Sequence, residues 1–292
     1  MTEDDATGAA TLVLAFDAPM QSWGTASRFE RRDTATEPTK SGVVGLLASA
    51  KGHARDDDHA VARLAQLRMG VRVDREGEIE RDFQTIGNVP DTQGAGHRTA
   101  LSDRYYLAGA LFLVALEGAP SQLRDLHAAL RHPHRPLYLG RKAFVPARPL
   151  VQPDPAAAIL PRPVEQVLES YAWLEERGRQ RADMQRALCR AEMTYLRTVV
   201  DADPENLYVE LRHDHPVSFA HRTRRYAPRA VLTGHVPLTG GVLSSRPGRA
   251  DPASGPEGPR TDAERQYSAP GPRVQATRPT GPDHDPFAAL EQ

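Results

Sequence analysis

The chain has 292 residues, room for one large domain or two of ordinary size. Its 37 Lys and Arg against 38 Asp and Glu exclude a chain that is basic throughout and one that is an acidic solvating tail, but leave room for a local basic groove. A single cysteine, Cys189, excludes a disulfide framework and a Cys-based zinc site and fits a reducing, cytoplasmic setting.

The acidic opening MTEDDATGAA is unlike the basic start of a signal peptide. Residues 11–18, TLVLAFDA, are an apolar run closed by Pro19 and predict a buried strand. Residues 41–52 carry apolar side chains at helical spacing, with Ser41 at the N-cap and Gly52 at the C-cap position. Residues 57–70 predict a second helix with acids in its first turn. VRVDREG and EIERDFQTI predict a strand, a turn at Gly77 and a returning strand. GNVPDTQGAGHRT, residues 87–99, has no period and predicts a loop or mobile arm. Residues 104–118 predict one long strand, whose apolar run is far short of the roughly twenty residues a membrane span needs. A helix is expected from about Ser121, stopped by Pro133.

This order makes the chain α+β, compatible with a ferredoxin-like βαββαβ unit over residues 1–150, although the early second helix is left over. A Pro-rich connector, 149–163, precedes a long helical pattern and two or three strands expected within TYLRTVV, LYVELR and RAVLTGHVPL. These define a C-terminal helix plus β-rich part, 151–243. From 244 to 292 the sequence holds nine Pro and five Gly and few apolar residues, so it cannot offset the cost of ordering its backbone and is expected to be disordered.

Four segments could carry chemistry. In APMQSWG, Trp23 either stacks a nucleobase or caps the core, and Gln21 and Ser22 could bond base edges or phosphates. In EPTKSGVVGLL, Lys40 and Ser41 open a helix, where an ammonium and free N–H groups suit a phosphate; the alternative is an ordinary capped helix. The P-loop spacing is absent. Residues 121–149 hold six Lys or Arg against Asp125, and PLYLGRKAFVP groups Tyr138, Arg141 and Lys142 around Gly140. HPVSFAHRTRRYAPR holds Arg222, Arg224, Arg225 and Arg229 with no acid. Each basic run is either a phosphate-contact strip or a solvated face. His213-Asp214-His215 and His132-Pro133-His134 lack metal-ligand spacing and a third ligand, so neither a metal nor a cofactor is expected.

Taken in order, APMQSWG, PTKSGVVGLL, RDFQT, DRYYLAGALFLVAL and PLYLGRKAFVP resemble the CasD family of subunits of the type I-E CRISPR surveillance complex, Cascade. SFAHRTRRYAPRAV resembles that family's later basic strand region, whereas the sequence after Val242 resembles nothing in it. The resemblance implies a ferredoxin-like (RRM-like) RAMP domain with a projecting arm, placed at 87–99, and a small β-rich C-terminal part. It implies a non-catalytic subunit that holds the 5′ handle of the CRISPR RNA and caps the backbone filament in antiviral defence. Its partners would be a CasC-type backbone subunit and a CasA-type large subunit, with target DNA met only through the complex. The alternative is a metal-independent endoribonuclease acting on repeat RNA, as relatives in another subtype are. Carried over, the RNA-binding candidates are Met20, Gln21, Ser22, Trp23, Gly24, Thr39, Lys40, Ser41, Arg104, Tyr138, Arg141 and Lys142, with Arg222 and Arg225 from the later strip. Ordinary RRM stacking motifs are missing, so stacking must come from loops. Two departures stand out: Ala18 occupies a position where the family usually has Gly, and residues 178–191 are longer than expected.

Overall fold

The structure, a computed structural model, describes residues 10–25, 30–90, 97–175 and 194–238. In chain order its elements are β1 (Ala10–Asp17), β2 (Met20–Gln21), β3 (Arg31–Arg32), α1 (Lys40–Lys51), α2 (Asp58–Ala65), β4 (Arg68–Arg75), β5 (Glu78–Pro90), β6 (His97–Ala108), β7 (Leu111–Gly118), α3 (Pro120–Arg131), α4 (Pro155–Ala158), β8 (Ile159–Leu160), α5 (Val164–Ser170), β9 (Tyr195–Asp201), β10 (Glu210–Ser218) and β11 (Arg225–Pro237).

β1 is apolar on both sides because both sides are covered. Successive side chains of a strand alternate between faces. Leu12, Leu14 and Phe16 therefore join Phe112, Val114 and Leu116 of β7 beneath α1, α2 and α3. Val13 joins Leu111, Leu113 and Ala115 beneath Val164, Val167 and Leu168 of α5. Burying each large aliphatic contributes about 1.5–3 kcal/mol. The order β4-β7-β1-β8 is second, third, first and fourth strand of a βαββαβ unit, with α1 and α3 in the crossovers: the ferredoxin-like arrangement. The supernumerary helix α2 lies beside α1, ahead of β4.

Beyond β4 the same sheet continues through β9, β11 and β10 to seven strands. All described residues belong to one unit, Met1–Arg249, so the boundary expected near residue 150 does not separate two sheets. The tail expected at 244–292, Cys189 and the stretch 178–191 lie outside the described residues.

Three other expectations change. Residues 104–118 are two strands in two sheets, because Gly109 takes φ 68 and donates its N–H to the Pro19 carbonyl at 2.9 Å, turning the chain between β6 and β7. The helix after the Pro-rich connector has only seven residues, Val164–Ser170. Buried Arg72 grips the segment that follows, donating to the carbonyls of Leu168, Tyr171 and Ala172 at 2.8–3.0 Å and pairing with buried Asp74, which accepts the Leu174 N–H. Of the arm expected at 87–99, residues 91–96 lie outside the described residues, and the rest belongs to two paired strands rather than an irregular loop. β5 and β6 pair antiparallel from Glu78↔Ala108 to Pro90↔His97, with a bulge between Ile86 and Val89 where Asn88 has φ 60. β2 and β3 line the other edge of β6 at the base of this ribbon.

α5 and the residues after it cover the sheet face that an ordinary RRM offers to RNA. Any nucleic-acid site must then lie on loops, at the ribbon base or along α1.

Candidate nucleic-acid interface

The site is organised by the turn after α3. Leu139 donates its N–H to the Phe144 carbonyl at 2.8 Å and accepts the Ser22 N–H at 3.1 Å, which binds this turn to the loop leaving β1. The two backbones meet at Gly140. Its φ is 99, and a Cβ there would stand 1.9 Å from the Ser22 carbonyl oxygen, so only glycine fits.

On one side of the turn lies an open groove of about 620 Å³. It is lined by Tyr138 and Gly140 of the turn, by Ser41, Gly42 and Gly45 of α1, and by Phe219, Arg224 and Tyr226 from the β10–β11 hairpin. Arg55 and Arg135 also line it. Arg135 is held by hydrogen bonds to the carbonyls of His53 (2.7 Å) and Gly52 (3.1 Å). Rings and guanidinium groups around a cleft this size suit bases and phosphates of a single strand.

On the other side of the turn, at the ribbon base, cations collect. The parallel register of β3 on β6 sets Arg32 opposite Arg104. Arg141 donates to the Tyr105 carbonyl at 2.6 Å and lies 5.4 Å over the Phe144 ring, while Arg31 lies 5.0 Å over Tyr105. Burial, together with the like charges of Arg104 and Arg32, lowers the Arg141 guanidinium below its ordinary value, opposed by Asp82. Among the described residues none of Arg32, Arg104 and Arg141 has a carboxylate within ion-pair distance. Half-buried Arg104 and Arg141, with exposed Arg32 beside them and Asp82 as the one nearby carboxylate named against them, form a cluster of like charges held in no ion pair among the described residues, which suits an anion.

The expected residues divide sharply. Arg104 and Arg141 come together, Tyr138 and Ser41 face the groove, and Gly24, Lys142, Arg222 and Arg225 are exposed. Met20 is exposed on β2, and Ser22 is buried beneath the Gly140 turn. Thr39, not Ser41, caps α1: its hydroxyl accepts the Gly42 N–H at 3.3 Å. Ser41 is freed to face the groove.

Other expectations are overturned by burial. Gln21 is fully buried and donates Nε2 to the carbonyls of Phe16 and Ala110, so it is not offered to RNA. Trp23 is 1 % exposed, stacked on Phe16 at 5.4 Å and lying against Gly42, so it caps the core. Ala18 also points into the core, so its methyl does not narrow the RNA path. Lys40 is 3 % exposed; its ammonium donates to the Leu67 carbonyl and Asp201. Burial lowers its pKa despite Asp201. Arg229 leaves the basic strip in the same way, pairing with Asp214 at 2.7 Å and with Asp201. These four charges balance and fasten the start of α1 to β9, β10 and β11. Sequence alone did not single out Arg32 or Tyr105, whose roles depend on strand pairing.

Comparison with known proteins then decides the family. The family described as CRISPR-associated protein (Cas_Cas5) matches residues 11–232. The chain belongs to this family. It is CasD-like: it is 33 % identical over 168 residues to the CRISPR system Cascade subunit CasD of Escherichia coli (strain K12), covering 51 % of this chain and 75 % of that protein. A structure described as a crystal structure of a Cas protein superposes with a TM-score of 0.60 at 37 % identity, covering 81 % of this chain and 99 % of that one. A chain of a CRISPR RNA-guided surveillance complex superposes with a TM-score of 0.63 at 30 % identity, covering 82 % and 95 %. The ferredoxin-like Cas5 fold and its RAMP character are thereby shared with solved relatives. No helix among the described residues is long and apolar enough to cross a membrane.

Proposed function

We propose that this CasD-like Cas5 protein is a non-catalytic subunit of a type I-E Cascade surveillance complex in the cytoplasm, that it holds the 5′ handle of the CRISPR RNA, and that it caps one end of the backbone filament beside CasC-type and CasA-type subunits. The observation that carries the reading is the turn at Gly140. It presents Tyr138 to a groove lined by rings and Arg141 to a cluster of cations that, among the described residues, are held in no ion pair. Bases stack on Tyr138, Phe219 and Tyr226, and the sugar–phosphate chain crosses the turn to Arg104 and Arg141, with Arg32 and Lys142 beside them. Arg224 supplies charge in the groove, and exposed Arg222 and Arg225 supply it from the same hairpin. Ser41 and the N-terminal turn of α1 supply hydroxyl and N–H donors. Gln21, Trp23, Thr39 and Lys40 shape the site from beneath it. The ribbon of β5 and β6 is the arm that reaches toward the neighbouring backbone subunit.

The test is binding of handle RNA to the purified chain across a salt series. Affinity should fall with salt at a log–log slope of about −0.7 per phosphate contact, and R104E/R141E should flatten that slope by about one to two units. Salt-independent binding, or an unchanged slope in the variant, refutes the reading. A single defined cut in repeat RNA in the presence of EDTA would instead establish the endoribonuclease alternative.

A further inference from the structure

The turn between β9 and β10 and the start of β10 have no part in the groove, yet they carry the most exposed apolar side chains among the described residues. Leu207 is 93 % exposed, Tyr208 85 % and Leu211 67 %. Leu207 and Tyr208 are presented by an ordered turn, and Leu211 by β10 where it lies opposite Ala230: Asp203 accepts the Glu205 N–H at 2.9 Å, Asn206 accepts the Tyr208 N–H at 3.0 Å, and Ala202 donates to the Ala230 carbonyl at 3.0 Å. A turn held this way, with large apolar groups in water, is a marker of a protein contact.

Its charge identifies the kind of partner. Residues 201–211 contain Asp201, Asp203, Glu205 and Glu210 and no Lys, Arg or His. Asp201 is used by Lys40 and Arg229, and Glu210 meets Arg212 at 3.2 Å, but the Asp203 and Glu205 carboxylates make no ion pair within the described residues. Carboxylates repel a phosphate backbone, so this surface is unsuited to RNA. The backbone edge of β10 is also a poor template for strand addition, because its register shifts between Arg212 and His215 and again after Pro216. Side chains, not the strand edge, make the contact.

We propose that Leu207, Tyr208 and Leu211 form a protein-docking knob, and that its partner is another protein offering an apolar cup rimmed by Lys or Arg. The apolar side chains fill the cup, and Asp203 and Glu205 steer and orient the approach. The knob is independent of the RNA groove.

The test places a photo-crosslinking benzoylphenylalanine at Tyr208 of the full chain, co-expressed with its neighbouring assembly proteins and guide RNA, and maps cross-linked peptides. In parallel, L207D/Y208S is scored for incorporation into the assembly and, as purified protein, for handle-RNA affinity. Expected are cross-links to a basic-rimmed apolar surface on another protein, at least a tenfold loss of incorporation, and RNA affinity unchanged within twofold. Cross-links to RNA or to a second copy of this chain, no cross-link at all, or full incorporation of the variant would overturn the proposal. A fall in RNA affinity of the isolated variant would overturn its independence from the groove.

Discussion

Gly140→Ala isolates the turn on which the RNA site depends. A non-glycine residue at φ 99 is strained by about 1–3 kcal/mol. The new methyl would also stand 1.9 Å from the Ser22 carbonyl oxygen, so the turn must move by more than an ångström. That movement strains the Ser22–Leu139 and Leu139–Phe144 hydrogen bonds, each worth about 0.5–1.5 kcal/mol. The combined loss is about 2–6 kcal/mol, which a domain of this size registers as a fall of roughly 4–24 °C in Tm. Because Tyr138 and Arg141 ride on the turn, handle-RNA affinity should drop at least tenfold under conditions where the variant remains folded. Thermal unfolding followed by circular dichroism, with RNA binding by fluorescence anisotropy, measures both. Gly24→Ala is the control, since a Cβ there meets nothing within 4 Å. A Gly140→Ala protein as stable as the Gly24→Ala control, with undiminished RNA affinity, refutes the reasoning.

Further outcomes follow from the same geometry. Tyr138→Ala and Tyr226→Ala should each weaken RNA binding by about 1–3 kcal/mol if each ring stacks a base, with little change in Tm; titration with handle RNA decides, and two neutral variants would remove stacking from the account. Lys40→Met should cost about 3–5 kcal/mol of stability, because Asp201 loses one of its buried counter-charges. Its folded fraction should bind RNA as the wild type does, and the reverse pattern would make Lys40 a contact residue after all. Acid should destabilise the fold. Burial raises the carboxyl pKa of Asp214, yet hydrogen bonds from Arg229 outweigh it and hold the group below its ordinary range; Arg197 and Thr36 do the same for Glu37. Both then contribute stability that is present above the unfolded pKa, about 4, and lost as pH falls through the lower folded values. Burial, with Lys40 nearby, lowers the pKa of His215, so its protonation begins opposing the fold below about pH 6.5. Urea midpoints from pH 7 to pH 3 should fall throughout, and a flat profile would contradict these assignments.

Several features were legible in the residues because they depend on local physics. The double-sided apolar pattern of β1, the C-cap at Gly52, the Pro-initiated α3 and the glycine between Tyr138 and Arg141 all follow from neighbours a few positions apart. The ordered motifs also identified the family correctly. Lys40 illustrates the limit. Its place at a helix start reads as an anion site, and nothing nearby in the chain reveals that Asp201 and Asp214, more than 150 positions later, will reach it through β9 and β10. Trp23 is similar: an indole after a strand exit is exposed or buried according to what packs on it, and Phe16 and Gly42 enclose it only once α1 has folded over β1.

By itself, then, the sequence determined the α+β class, the family, and the glycine turn that carries Tyr138 and Arg141, while the fourth strand of the ferredoxin-like unit, Ile159–Leu160, and the pairing of Glu78–Pro90 with β6 rather than β4 came only from the fold. Only the tertiary structure decided which basic residues are taken up in ion pairs. It spent Lys40 and Arg229 on buried carboxylates and left Arg32, Arg104 and Arg141 facing one another at the ribbon base. The physical reason is that periodicity and caps act over a turn of helix or a pair of strands, whereas charge pairing is settled by sheet order and register, which join residues far apart in the chain.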